Sequence, residues 1–402
     1  GATPTKLADA GDAVRWGLPL AKGVTNLGTA IAIGSLAFAA YALSAKTPQL
    51  IKTMNLAAFG AGLWTIFGAL SFLFTYLSVT GSAFSTSEVF GQGLWLFATD
   101  IEFGRYLALN VLAGAILTVL ALAFQSLTSA LLLAALGLLG LVPIALTGHA
   151  AGVANHALAV NSIGMHLVAV TIWVGGLAAL VSARDSDPER QANLVKRYST
   201  LALIAFAIVA ISGISVALLG LGSLKNIFTP YGLLVLMKSA ALLLLGAIGG
   251  HYRYRLIGRM ATVTAKAKEF WLIVAGELLV MGAAVGLGTA LSRTAPPEDP
   301  LASFVPTPAS ILTGEPLPSE MLPETWFTAW RIDILWTTIA AGAILLYLVG
   351  VWRLKRRGDE WPLVRTLSWV AGWTFLFYIT SGAPNVYEQY LFSVHMISHM
   401  ML

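Results

Sequence analysis

The chain has 402 residues, 57% of them hydrophobic and only 11% charged, with a formal net charge of +5 and no cysteine. Charged residues make up about a quarter of a soluble globular protein, so this composition excludes that class and predicts an all-α, polytopic transmembrane helical bundle. The missing thiols exclude a disulfide framework and a thiolate metal site. The positive charge forms no basic block, so nucleic acid is not an expected partner.

A bilayer core of about 30 Å is crossed by about 20 apolar residues of helix. Read in that unit, the chain predicts about ten full spans and a truncated eleventh. The first residue is glycine rather than methionine, which points to an upstream start, and residues 1–22 are mixed and polar. Spans 1 and 2 are expected over 24–44 and 54–79. A Ser/Thr/Gly-rich connection follows, whose Phe84, Phe90 and Trp95 read as an interfacial aromatic belt. Asp100, Glu102 and Arg105 then stand at the mouth of span 3 (103–124), an acidic pair that can collect cations. Span 4 (127–148) follows at once, so the two form a tight hairpin. Span 5 (161–183) is succeeded by Arg184, Arg190, Lys196 and Arg197, and spans 6, 7 and 8 are expected over 201–221, 231–250 and 271–291.

From 292 to about 330 the character changes, with eight prolines and five acidic residues. This stretch reads as an extramembrane linker without a core of its own. Spans 9 (334–352) and 10 (363–379) come next, and 387–402 reads as the cut-off start of an eleventh. Lysines and arginines concentrate after spans 1, 5, 7 and 9. By the positive-inside rule those connections are cytoplasmic, and the amino terminus lies outside.

Three of the six histidines, His149, His156 and His166, fall within eighteen residues at the predicted outer end of spans 4 and 5, with Met165 beside the last. An imidazole in hydrocarbon needs a hydrogen-bond partner or a metal. In a chain without cysteine, imidazole and thioether are the ligands left for a soft or borderline metal, and copper suits that pair best. His395 and His399 are four apart in His395-Met396-Ile-Ser-His399-Met400-Met401. On a helix they share one face, about one turn from each other, which makes a second copper ligand set. Lys238 and Glu277 are ionisable residues inside spans 7 and 8 and, with Asp100 and Glu102, mark a transport pathway. At ~1.5 Å per residue they stand roughly 10 Å apart along the membrane normal, too far for a direct ion pair. The paired glycines Gly175 and Gly176 are expected to allow close helix approach. Trp173 reads as a packing residue, and His251 as an interface residue.

The run from His166 through Trp173-Val-Gly-Gly, with Arg197-Tyr-Ser-Thr, Ser212-Gly213, Tyr231 to Lys238 and Gly276-Glu277 to Pro296-Pro297, resembles the CopD family of copper-resistance membrane proteins. That resemblance implies an eight-helix copper-handling unit over 1–296. The tail from Tyr387 to Leu402 is similar to the beginning of the CtaG family of cytochrome c oxidase assembly proteins, which implies a partial second unit over 334–402 beyond a linker of 297–333. Together they resemble an actinobacterial-type fusion.

Two functions follow as expectations. In the first, a non-enzymatic protein of the bacterial cytoplasmic membrane takes copper at the outer face and supports its supply to an oxidase. Its partners would be the lipid bilayer, copper ions, an extracytoplasmic copper chaperone and cytochrome c oxidase subunits. In the second, histidines on neighbouring helices ligate a b-type haem for electron transfer. No phosphate-loop motif is present, so the sequence gives no sign of nucleotide-driven transport.

Overall fold

The computed structural model describes residues 11–146, 156–260, 271, 274–279, 281–282, 294, 297, 307–313 and 315–402. They fall into two units, one drawn from 1–148, 166–211 and 221–297, the other from 149–165, 212–220 and 298–402. Among the described residues there is helix and no strand. In a bilayer core every backbone N–H and C=O must be satisfied inside its own segment, and a helix does this by construction.

Eight described stretches are long and apolar enough to cross a membrane: Asp12–Ala42, Pro48–Thr80, Glu102–Ala123, Leu127–Leu146, Leu158–Ser182, Pro188–Leu221, Pro230–Gly250 and Ile334–Arg357. They coincide with expected spans 1 to 7 and 9, and most of expected span 8 lies outside the described residues. Expected span 10 is a helix of 19 residues, Leu363–Ser381, which carries Arg365 and is not among the eight.

In the first unit, helix α1 (Asp12–Ala42) packs along α2 (Pro48–Thr80) and α5 (Leu127–Leu139), and α2 packs on α4 (Glu102–Ala123). With no hydrophobic force between helices in lipid, close packing and buried hydrogen bonds hold such an assembly. Both occur here. A Cβ on Gly28 would fall 2.7 Å from Trp64 N, and one on Gly60 would fall 2.6 Å from Ala32 N, so two glycines let α1 and α2 touch backbone to backbone. Trp64 is fully buried, and its indole donates to Asn110 Oδ1 at 2.9 Å. Asn110 Nδ2 in turn donates to Gly140 O at 2.8 Å. Gly140 lies between α5 and the short α6 (Val142–Leu146), and Pro143, which has no N–H to give to the preceding turn, marks that interruption. The outward faces carry Phe59, Ile66, Val119, Leu122, Leu131 and Leu132, all exposed, as lipid-facing positions require.

Helices α7 (His156–Ser182), α8 (Pro188–Leu221) and α9 (Pro230–Met260) follow. In the second unit come α10 (Pro308–Thr313), α11 (Thr325–Thr328), α12 (Ile334–Arg357), α13 (Leu363–Ser381), α14 (Ala383–Tyr387) and α15 (Phe392–Met401). Asp333 caps α12 by accepting from Trp336 N at 3.0 Å. Gly358, with φ of 88°, ends that helix in the left-handed conformation behind Lys355, Arg356 and Arg357, which complement its carboxyl-terminal dipole. Tyr347 of α12 stacks on Trp369 of α13 at 5.1 Å.

Four expectations are corrected. The first helix starts at Asp12, not near residue 24, because residues 12–22 mix apolar and charged side chains in a helical segment that a hydropathy window passes over. The connection after span 2 contains α3 (Glu88–Thr99), capped by Ser87 and packed on α4; its Phe97 is buried against Tyr76 and Phe72. The proline-rich stretch does join a core: Met321, Trp326 and Ala329 pack with Ala383, Tyr387 and Val394. Tyr390 Oη donates to Glu315 O and Pro316 O at 3.1 Å, and Tyr378 Oη to Trp326 O at 2.7 Å. Finally, 387–402 is not one helix, since α14 ends at Tyr387 and α15 begins only after extended Leu391.

Candidate functional site

In the first unit α7 is brought against α1 at a glycine pair. A Cβ on Gly34 would lie 2.5 Å from Gly175 Cα, and one on Gly175 would collide with Ala30 O, while Gly176 has ordinary room. The close approach expected of the glycine pair is therefore made by Gly175. Two residues earlier, Trp173 is 8% exposed and meets Phe206 of α8 edge-on at 6.0 Å.

Arg197 at the other side of α8 donates to Tyr41 O at 3.0 Å and Ala42 O at 3.4 Å, satisfying carbonyls that the end of α1 leaves open. Gln49 Nε2 donates to Asp185 Oδ2 at 2.7 Å and fastens the α1–α2 corner to the α7–α8 corner. So held, Tyr198, 3% exposed, points its hydroxyl at the helical segment 274–279 and donates to Glu277 Oε2 at 2.8 Å. Trp173 Nε1 faces the same hydroxyl, yet it is buried without an acceptor in hydrogen-bond geometry among the described residues.

His166 lies seven residues before Trp173 on α7, so the two share a face about 10.5 Å apart. Lys238 of α9 is near enough for its charge to act on the His166 ring. The described side chain that Glu277 engages is Tyr198, and the one ion pair among the described residues is Arg190 with Asp187. Sequence reading missed Tyr198, while Trp173, expected as a packing or interfacial residue, does pack in the core. The available signal was that an acid inside a span needs a polar partner, and Tyr198 stands in one of the motifs already noted.

Met165 is buried and adjacent to His166, and consecutive helical side chains diverge by about 100° around the axis. His149 lies outside the described residues, and His156 opens α7 with a side chain outside them. Asp100 and Glu102 are exposed and locally engaged: Thr99 Oγ1 donates to Asp100 Oδ2 at 3.0 Å, and Tyr106 Oη to Glu102 Oε1 at 2.8 Å.

The second unit carries the other histidine set. His395 and His399 are both exposed on α15, their ring centroids 6.0 Å apart and nearly perpendicular. A metal–imidazole bond is about 2 Å, so a separation of 6.0 Å suits one ion between two rings. Met396 and Met400 are also exposed and form the neighbouring stripe of the same helix. Rings one turn apart on one helix cannot approach a haem from opposite faces, so this pair does not supply both axial ligands. Among the described residues no group of three or more His, Asp or Glu converges on one point. The buried side of α15 lines an open groove of about 720 Å³ with Met321, Trp326, Tyr378 and Leu391. Nearby, Asn161 Nδ2 of α7 donates to the helix-capping Asp333 Oδ2 at 3.0 Å.

Comparison with known proteins adds the family. Residues 10–157 match the family described as copper resistance protein D-like, N-terminal domain, residues 192–291 copper resistance protein D, and residues 345–402 the cytochrome c oxidase caa3 assembly factor. An uncharacterised protein of Mycobacterium leprae is 37% identical over 95 residues, which is 23% of this chain and 14% of that protein. An uncharacterised protein of Mycobacterium tuberculosis is 35% identical over 94 residues, again 23% and 14%. The copper transport protein CutJ of Bacillus subtilis is 33% identical over 174 residues, 41% of this chain and 31% of that protein. The chain thus covers less than a third of the length of each of these relatives. No solved structure matches. The chain is a multi-pass helical protein that is similar to the copper resistance protein D family over 10–157 and 192–291 and to the caa3 oxidase assembly factor family over 345–402.

Proposed function

We propose that this protein handles copper at the bacterial cytoplasmic membrane, taking it at the outer face and passing it toward assembly of a cytochrome c oxidase. The observation that carries this reading is the occurrence, in one chain, of copper-resistance stretches and an assembly-factor stretch that contains the paired rings of His395 and His399. The name of the Bacillus relative, a copper transport protein, supports the same cargo.

In this reading the units are 1–296 and 334–402, joined through 297–333, with the amino terminus outside. His149, His156 and His166, with Met165, take the ion. Asp100 and Glu102 gather cations at the outer mouth, and Lys238 and Glu277 line the way through. His395 and His399, with Met396 and Met400, receive copper for transfer, and an extracytoplasmic chaperone and oxidase subunits are the protein partners. Imidazole and thioether together favour copper in its reduced form over harder cations. The work is binding and transfer, and no covalent step is required.

The test is copper content of the purified, detergent-solubilised chain by elemental analysis, with the visible spectrum recorded alongside. The wild type should hold copper and show no reduced-minus-oxidised Soret shift. His166→Ala should lose copper while keeping its helical circular dichroism, and His251→Ala should keep it. Unchanged copper in His166→Ala, or a Soret shift in the wild type, would contradict the reading.

A further inference from the structure

Trp173 and Tyr198 pack in the core of the first unit, but packing does not explain the Glu277 carboxyl that Tyr198 engages. A carboxylate in a membrane interior is costly unless a cation faces it, and no ion pair to Glu277 exists among the described residues. Its Oε2 is taken by the Tyr198 hydroxyl at 2.8 Å, and Oε1 has no hydrogen bond to the described residues. The Tyr198 oxygen retains acceptor capacity, and the second donor facing it, the buried Trp173 indole, has no acceptor in hydrogen-bond geometry. The phenol therefore donates to the carboxyl, with the unpaired indole facing the same phenol, and the row ends on a group able to carry either a proton or a nearby cation.

No described charged group forms an ion pair with Glu277. Arg197, next to Tyr198 on α8, is bound to the carbonyls of Tyr41 and Ala42. Lys238 on α9 forms no ion pair among the described residues. Among the described groups, Tyr198 is the titratable one hydrogen-bonded to Glu277. Oxygen donors of this kind are poor ligands for a soft cation compared with imidazole and thioether, so the row suits a proton better than the cargo.

We propose that Glu277 is a proton-exchange site: its carboxyl gives up a proton to the polar path when the transported cation crosses the first unit, and takes one back when the cation has left. The single carboxyl releases one proton per passing cation and so offsets one positive charge, with no change of oxidation state. Tyr198 and Trp173 act as positioning residues. The cargo being copper rests on the reading above; the exchange of a proton at Glu277 does not.

Two measurements on the full chain in lipid vesicles test this. Infrared difference spectra across a pH titration should contain a protonated-carboxyl band that vanishes in Glu277→Gln and shifts in frequency in Tyr198→Phe. A merely structural tyrosine would not move that frequency. With a pH-sensitive dye enclosed, copper addition should drive proton movement in the wild type, and Glu277→Gln should lose it. No band assignable to Glu277 at any pH, or copper uptake with no accompanying proton movement, would overturn the proposal. A titrating Glu277 band in a chain that binds no copper would support proton exchange and overturn copper as the cargo. Should Glu277→Gln fail to fold, the Tyr198→Phe band shift still decides, since an unshifted band would contradict the row.

Discussion

The two histidine-bearing regions differ in how their polar groups are held. In the first unit polar side chains are buried and fixed by neighbours from other helices: Trp64 by Asn110, Asn110 by Gly140, Glu277 by Tyr198. In the second unit His395 and His399 stand exposed on a short helix, facing each other across one turn. Buried groups owe their geometry to tertiary packing and resist change. Exposed ones owe it to the local helix and stay open to an exchanging ion. In the proposed reading the first arrangement serves as a conduit, and the second as a place of hand-over.

The largest expected effect lies where the first unit packs most tightly. Gly175→Leu should drive a side chain into the backbone of α1 and cost about 3 kcal/mol, read as a lower melting temperature in detergent, whereas Gly176→Ala should be close to neutral. Equal losses at the two positions would break the assignment of the crossing to Gly175. Next comes Asn110→Ala, which strands the Trp64 indole and the Gly140 carbonyl and should cost about 2 kcal/mol. The same change in a Trp64→Phe background should cost less, because the two act as one network.

The exposed pair should behave in the opposite way. His395→Ala and His399→Ala should each change stability by less than about 0.5 kcal/mol while removing the copper held by the second unit, and the double variant should lose no more than either single one. Additive, partial losses would mean that the rings bind independently. The smallest effect is expected at the surface ion pair of Arg190 with Asp187. Arg190→Ala should alter stability by about 0.5 kcal/mol or less, and a large change would show that this corner is more tightly coupled than its exposure indicates.

The spans were legible because bilayer thickness imposes a long apolar run on each helix, and runs such as 54–79 and 103–124 satisfy that without regard to neighbours. The start of α1 was not, because Asp12, Arg15 and Lys22 depress hydropathy without interrupting the helix. Helix α3 hid behind Gly91 and Gly93, and the break before Phe392 has no proline or glycine of its own to announce it. The spacing of His395 and His399 could be read directly, since four residues on a helix bring two rings together by local geometry alone. Glu277 could be flagged as an acid in a span, but its partner could not be named. Tyr198 is 79 residues away in sequence, and which face of α8 turns toward it depends on the crossing of α7 over α1, set by Gly34 and Gly175.

The most direct test of copper handling by imidazole is X-ray absorption at the copper edge of the copper-loaded full chain, repeated on His166→Ala and on the His395→Ala, His399→Ala double variant. Imidazole scattering in the wild type, reduced separately by each variant, is the predicted result. A copper shell without imidazole, or one unchanged in both variants, would contradict it.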